Sequence, residues 1–349
     1  MKKLFFIAAI ASAALVSCTK NEVITSAPEQ EEISFAGPVV GAQTKVFGEI
    51  NSTYNTGESF DVWCVYNTAD ITTWSGTPYF NDVKATFDSG LYGWALTPKY
   101  YWPATGKLSF VALSPSIDNT TTYDETNGFK ITTKWSQGAN EEKIVDLMYS
   151  EPTFNCVKAT YANTDKDDDD DSGSYKYNGV DINFKHALSY ILFNVKTAES
   201  YSTTKFRLNT ITLSGVYTTG TFIQKDATDP WTEDTAGSTG TYVAFTNTPG
   251  LEFENSAIHA AAAIGKEIIL LPQALKNGQQ KITVNYQIST DNGTTWIDQV
   301  QVADLKNSTV TEWEMGKKYT YNLSIGMDEI IFDPAVTYWT ETAGGDINF

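Results

Sequence analysis

The residues able to do chemistry are few. There are three cysteines (Cys18, Cys64 and Cys156), two histidines (His186 and His259) and one arginine, Arg207. So small a histidine set nearly excludes a His-rich metal site, and one arginine cannot build a phosphate clamp. Nucleophilic catalysis needs a base beside the nucleophile and a group to orient that base. Neither Cys64 nor Cys156 has a histidine near it in sequence, and no G-x-S-x-G elbow occurs. His186, between Lys185 and Ala187 at the start of an apolar run, reads as structural. Glycoside hydrolysis needs two carboxylates at a set separation. With 42 Asp and Glu in the chain, sequence pairing of carboxylates carries no information. The run Asp167 to Asp171, followed by Ser172-Gly173, offers part of a calcium-loop pattern. Its twelfth position is Gly179 instead of Glu, and no helices flank it. A solvated loop of like charges is the preferred reading. The expectation is a protein with no catalytic centre, no resident metal and no cofactor.

The wider composition agrees. Formal net charge is -18 over 349 residues. An acidic chain lacks the basic face needed to neutralise phosphates, so nucleic acid is not an expected partner. The chain carries 19 Tyr, 18 Phe and 9 Trp. With abundant Thr, Asn and Ser, that favours strands and turns over helices.

Residues 1–17 read as an export signal. Lys2 and Lys3 precede the apolar stretch from Leu4 to Val16, which is too short to span a bilayer. The stretch ends Leu15-Val16-Ser17-Cys18, similar to the lipobox of bacterial lipoproteins. That resemblance implies acylation of Cys18 and its exposure as the first mature residue. Each buried lipid methylene adds ~0.8 kcal/mol of membrane affinity. Removing Lys2 and Lys3 leaves the chain two charges more negative. Cys64 and Cys156 then remain, and export permits a disulfide between them. Two buried strand thiols are the preferred alternative.

Residues 18–32, polar with an acidic end, read as a flexible tether. Strands are expected at Ile33–Ala36, Phe60–Tyr66, Leu91–Thr97, Leu108–Ser114 and Asp146–Tyr149. After the acidic break come Val180–Phe184, Leu188–Lys196, Phe206–Leu213, Glu267–Leu271, Lys281–Thr290 and Lys318–Ile325. Ile330–Phe332 precedes Pro334, and Ala257–Ile264 reads as a short helix. Ile282, Val284, Tyr286 and Ile288 alternate onto one face, the period of a half-buried strand. Asp291-Asn292-Gly293 is a turn signal. The division is a β-sandwich over 33–165, an acidic loop over 166–179 and a second β-sandwich over 180–349. The fold class is all-β.

Several strings together resemble the fimbrillins of Bacteroidetes, the type V pilus subunits and their Mfa-like relatives. They are Glu32-Ile33-Ser34-Phe35, Tyr101-Trp102-Pro103 and Leu108-Ser109-Phe110-Val111-Ala112. Further along come Phe184-Lys185-His186-Ala187-Leu188-Ser189, the run from Trp313 to Tyr321, and Val336-Thr337-Tyr338-Trp339. The resemblance implies two transthyretin-like β-sandwich domains in tandem and no enzymatic activity. It also implies a lipoprotein precursor carried to the outer membrane and cell surface by lipid on Cys18. A protease then cuts after the first strand, and subunits join by strand exchange into a fimbrium that serves adhesion. The expected partners are other fimbrial subunits, together with a host or bacterial surface ligand. Well-known members are cut after arginine. Here Lys45 followed by Val46 occupies that stretch, so a lysine cut or a different protease is needed, the alternative being no cut and a retained lipid. Ile347 and Phe349 alternate and are the candidate donor residues, or they complete their own sheet. A second reading is a lipid-retained glycan-binding lipoprotein, with Trp74 and Tyr79 as exposed rings for sugars.

Overall fold

In a computed structural model the described residues are 31–35, 39–40, 59–88, 93–116, 121–131, 135–136, 146–161, 179–225, 230–233, 239–253, 268–327 and 330–339. They form strands almost throughout, with one short helix, Lys158–Tyr161. The expected helix over Ala257–Ile264 lies outside the described residues.

The N-terminal part is built on one nine-stranded sheet. Its path runs Ser34–Phe35, Gly93–Thr97, Thr77–Asp88, Ser59–Asn67, Lys107–Ser114, Met148–Ser150, Asn183–His186 and Val39–Val40. Thr153–Cys156 adds to Lys107–Ser114. Its central strands read as nearly continuous apolar runs because both faces are covered. Phe60, Val62, Cys64, Leu108, Phe110 and Ala112 point into one core. Trp63, Val65, Val111 and Leu113 point into another. Cys64 and Cys156 are both buried free thiols in the first of these cores, so the preferred alternative is the one seen. Burial raises the Cys64 thiol well above its ordinary range, and nearby Cys156 adds to the effect.

The C-terminal part packs two four-stranded sheets face to face. One runs Ile268–Leu270, Ser189–Thr197, Lys317–Ile325, Ile330–Tyr338. The other runs Thr239–Phe253, Lys205–Tyr217, Lys281–Ser289, Ile297–Asp304. Ile282, Val284, Tyr286 and Ile288 enter their shared core beside Phe193, Tyr319, Tyr321 and Leu323. The strand Ile330–Tyr338 runs straight through Pro334. An edge strand tolerates this, because its outer side has no ladder to break among the described residues.

One boundary differs from the sequence division, which starts the second sandwich at Val180. Asn183–His186 pairs with Met148–Ser150 in the N-terminal sheet, and Val180, Ile182 and Phe184 fill the N-terminal core. A third apolar cluster then joins the two parts. Trp63, Val111, Leu113 and Tyr149 from one side meet Tyr190, Leu192, Ile269 and Leu271 from the other.

Two measurements check this packing. Neither Cys64 nor Cys156 should react with Ellman's reagent in the native protein, and both should react in guanidinium. Burial also pushes Tyr242 and Tyr319 up to about 12. An unfolded tyrosine titrates near ~10. The unfolded chain thus releases these protons first, and stability should fall as pH rises from about 10 to about 12. Phenolate absorbance at 295 nm should show these residues lagging behind the exposed tyrosines, then ionising as the chain unfolds.

Candidate functional site

The two ends of the N-terminal sheet meet on one short segment. On one side, Trp102 N–H donates to the Glu31 carbonyl at 2.9 Å and Ile33 N–H donates to the Tyr100 carbonyl at 2.9 Å. Ser34 stands opposite Ala95, and Phe35 opposite Trp94, antiparallel. On the other side, Val180 N–H donates to the Ser34 carbonyl at 3.0 Å. Phe35 bridges Val180, and Val39–Val40 pairs with Asn183 and Phe184, both parallel. Residues 31–35 and 39–40 thereby roll the sheet closed.

Alternation places Ile33 and Phe35 inside, at 2% and 0% exposure. The Phe35 ring sits edge-on to Phe60 at 5.8 Å and to Phe110 at 5.4 Å. Phe60 in turn contacts Trp94 at 5.0 Å and Phe184 at 5.6 Å. Gly179 makes the close backbone approach possible. Its φ is +144°, and a Cβ there would lie 2.5 Å from the Ser34 carbonyl oxygen. Two surface ion pairs flank the segment, Glu32 with Lys99 at 2.6 Å and Glu31 with Lys158 at 3.3 Å. Exposed pairs of this kind contribute at most about 1 kcal/mol each, so the buried rings dominate.

The C-terminal strand ends in a second anchored position. Trp339 is buried, and its N–H donates to the Gly316 carbonyl at 2.9 Å. Its ring stacks on His186 at 3.5 Å with 6° between planes, and on Tyr190 at 5.1 Å. His186 Nδ1 lies 2.7 Å from Asp146 Oδ2. His186 is thus a buried packing residue that ties the C-terminal strand to the junction between the two parts. Sequence reading did not find the Trp339–His186–Asp146 group, since only the fold brings these three together.

Of the expected sites, Cys18, Lys45, Val46, Ile347 and Phe349 all lie outside the described residues, as does the acidic run 167–171. Lys45 follows Val40 by five residues. The expected sugar platform is corrected. Trp74 is buried, 4.7 Å edge-on to Tyr123, and Tyr79 is half-buried with its hydroxyl donating to the Tyr101 carbonyl at 2.6 Å. Both rings are spent on packing, because the long strand Thr77–Asp88 and the loop before it fold over the core.

The chain belongs to the fimbrillin-like family, whose sequence pattern matches residues 44–339. That family is structural and not enzymatic. Among solved structures, the fold is similar to a fimbrial protein from Bacteroides vulgatus, with 18% identity and a TM-score of 0.57. The match covers 89% of this chain and 100% of that one. It is also similar to a candidate cell adhesion protein from Bacteroides uniformis, with 18% identity and a TM-score of 0.53, over 89% and 98% of the two chains. No curated protein matches.

Truncating Phe35 to Ala should cost the uncut protein about 3–5 kcal/mol, as for a buried phenylalanine left as a cavity. Tyr338→Ala, at a ring 71% exposed, should cost well under 1 kcal/mol. Guanidinium unfolding followed by tryptophan fluorescence reads both. Equal costs would show that the Ile33–Phe35 slot is not what holds the sheet closed.

Proposed function

We propose that this chain is a structural subunit of a cell-surface fimbria, exported as a lipoprotein and assembled by strand exchange, with adhesion as its role. The observation that carries this reading is the short segment 31–40 holding both ends of a nine-stranded sheet. A cut between Lys45 and Val46 would release that segment together with the lipid on Cys18. The sheet would then have two unpaired ends and an empty aromatic pocket. An extended strand from another subunit restores the lost main-chain bonds and fills the pocket, which is β-augmentation. Because donor and acceptor are different surfaces, the contact does not close on itself and propagates as a filament. Ile347 and Phe349 are the donor residues in this scheme. The partners are other fimbrial subunits, with the outer membrane as the site of the lipidated precursor and a surface ligand as the adhesion target. Two transthyretin-like sandwiches in tandem belong to the same reading, the first including residues 180–186 and the second beginning after His186. Membership of the fimbrillin-like family supports it.

The test is the intact mass and N-terminal sequence of protein taken from the cell surface. A lipid-free chain beginning at Val46 is expected, and Lys45→Gln should leave the lipidated form in place. A wild-type surface chain that still begins at acylated Cys18 would sink the cut and the exchange together.

A further inference from the structure

The chain passes from the N-terminal sheet to the C-terminal sandwich through Ala187 and Leu188. They stand between His186, which ends the strand Asn183–His186, and Ser189, which opens Ser189–Thr197. Both are fully buried. Ala187 N–H donates to the Leu147 carbonyl at 2.8 Å, and Gly316 N–H donates to the Leu188 carbonyl at 2.9 Å. Trp231 Nε1–H donates to the Ala187 carbonyl at 2.6 Å. The Ser189 hydroxyl donates to the Glu314 carbonyl at 2.8 Å. The joint is thus bonded to both parts.

Trp339 lies on this joint. Its ring stacks on His186 and on Tyr190, which flank the link on its two sides. Its backbone N–H is bonded to Gly316. Asp146, in the N-terminal part, holds the His186 ring in place.

The strand that leads to Trp339 is held less firmly. Ile330–Tyr338 is paired only with Lys317–Ile325 among the described residues. Its side chains Ile331, Val336 and Tyr338 are exposed. Lys317 Nζ lies 3.5 Å from the centre of the Tyr338 ring, and an exposed contact of that kind contributes only about 0.5–1 kcal/mol. A segment with so few buried apolar contacts opens locally at low cost. Peeled from its end, it gives up its ladder one pair at a time. A pull on the chain beyond residue 339 meets Trp339 before it meets any of those pairs.

We propose that Trp339 is a tension clamp. A pull on the chain beyond it is delivered to the joint between the two parts, and the edge strand is kept from peeling. The many dispersion contacts of a stacked ring must be lost together, whereas ladder pairs are lost in turn. The clamp is a property of the single chain. Its consequence in a filament rests on the strand-exchange reading. There the next subunit pulls on the tail and the previous one pulls on the N-terminal sheet. Tension then runs through the joint and leaves the C-terminal sandwich unloaded.

The experiment is single-molecule pulling on the uncut full chain carrying Cys18→Ser. One handle is attached at Lys84→Cys, on the exposed side of the N-terminal sheet, and the other after Phe349. Trp339→Ala should lower the force of the first event and add an early step. The nine residues of Ile330–Tyr338 free at least about 30 Å at strand rise. Trp339→Phe, which keeps a ring on His186, should fall between Trp339→Ala and the parent. Tyr338→Ala, next along the chain but exposed, should leave the first force unchanged. Moving the second handle to Asp333→Cys, within the edge strand, should give a low first force in a protein that keeps Trp339. A first event that is unchanged in Trp339→Ala overturns the clamp. So does a parent protein whose tail handle gives no higher first force than the Asp333→Cys handle. Neither result bears on strand exchange, because only one uncut chain is pulled.

Discussion

A rolled sheet is stable only if both of its end strands find main-chain partners, and here a single segment supplies both. Residues 31–35 pair with the 93–102 side, and Phe35 and Val39–Val40 pair with the 180–184 side. Every buried N–H or C=O left without a partner costs about 1–3 kcal/mol. The energy that holds the segment is nonetheless mostly in two side chains. Ile33 and Phe35 are each worth roughly 1.5–3 kcal/mol on burial, against surface ion pairs that contribute little. This division matters for the fold's behaviour. The main-chain half of the contact can be satisfied by any extended strand, whereas the side-chain half can be satisfied only by one with the right pattern.

Removing a strand would normally unfold a small sheet. This one has a second support. Its outer face carries Trp63, Val65, Val111 and Leu113, and these are covered by Tyr190, Leu192, Ile269 and Leu271 of the C-terminal part. Trp339 closes the same cluster, stacked on His186, whose ring is fixed by Asp146. The central strands are thus held from a face that the first strand does not touch. The two cores divide the work. The inner one includes Ile33 and Phe35 of the closing segment, and the outer one includes no residue of it.

The central strands were legible in the sequence because their apolar runs and alternation are local properties. Lys281–Ser289 follows its pattern almost residue for residue, and Asn292 and Gly293 both take positive φ at the turn that the Asp291-Asn292-Gly293 string signals. The place of Val180–Phe184 was not legible. Its alternation is plain, but alternation says only that one face is buried and not against which core. Trp74 was misread for a related reason. A tryptophan beside Gly and Pro suggests an exposed turn, and only the fold shows Tyr123 and the third cluster closing over it. Glu32-Ile33-Ser34-Phe35 was visible as a string. That it closes both ends of one sheet follows from the parallel bridge between Phe35 and Val180, a contact across 145 residues that no local pattern encodes.

Other strand edges are open among the described residues, and two of them differ from the first-strand slot. Ile297–Asp304 has no partner on its outer side among the described residues, and it exposes Ile297, Val300 and Val302. Exposed Asp298 and Asp304 also stand on that strand, on an acidic chain. Ile330–Tyr338 carries Pro334 at its middle, which has no N–H to offer an incoming strand. Charge and proline are ordinary means of discouraging edge pairing. These edges offer the same main-chain groups and are guarded. Among the described residues, the first-strand slot differs in that its strand also fills an aromatic pocket. That place is lined by Phe60, Trp94, Phe110 and Phe184, and it accepts isoleucine and phenylalanine two residues apart.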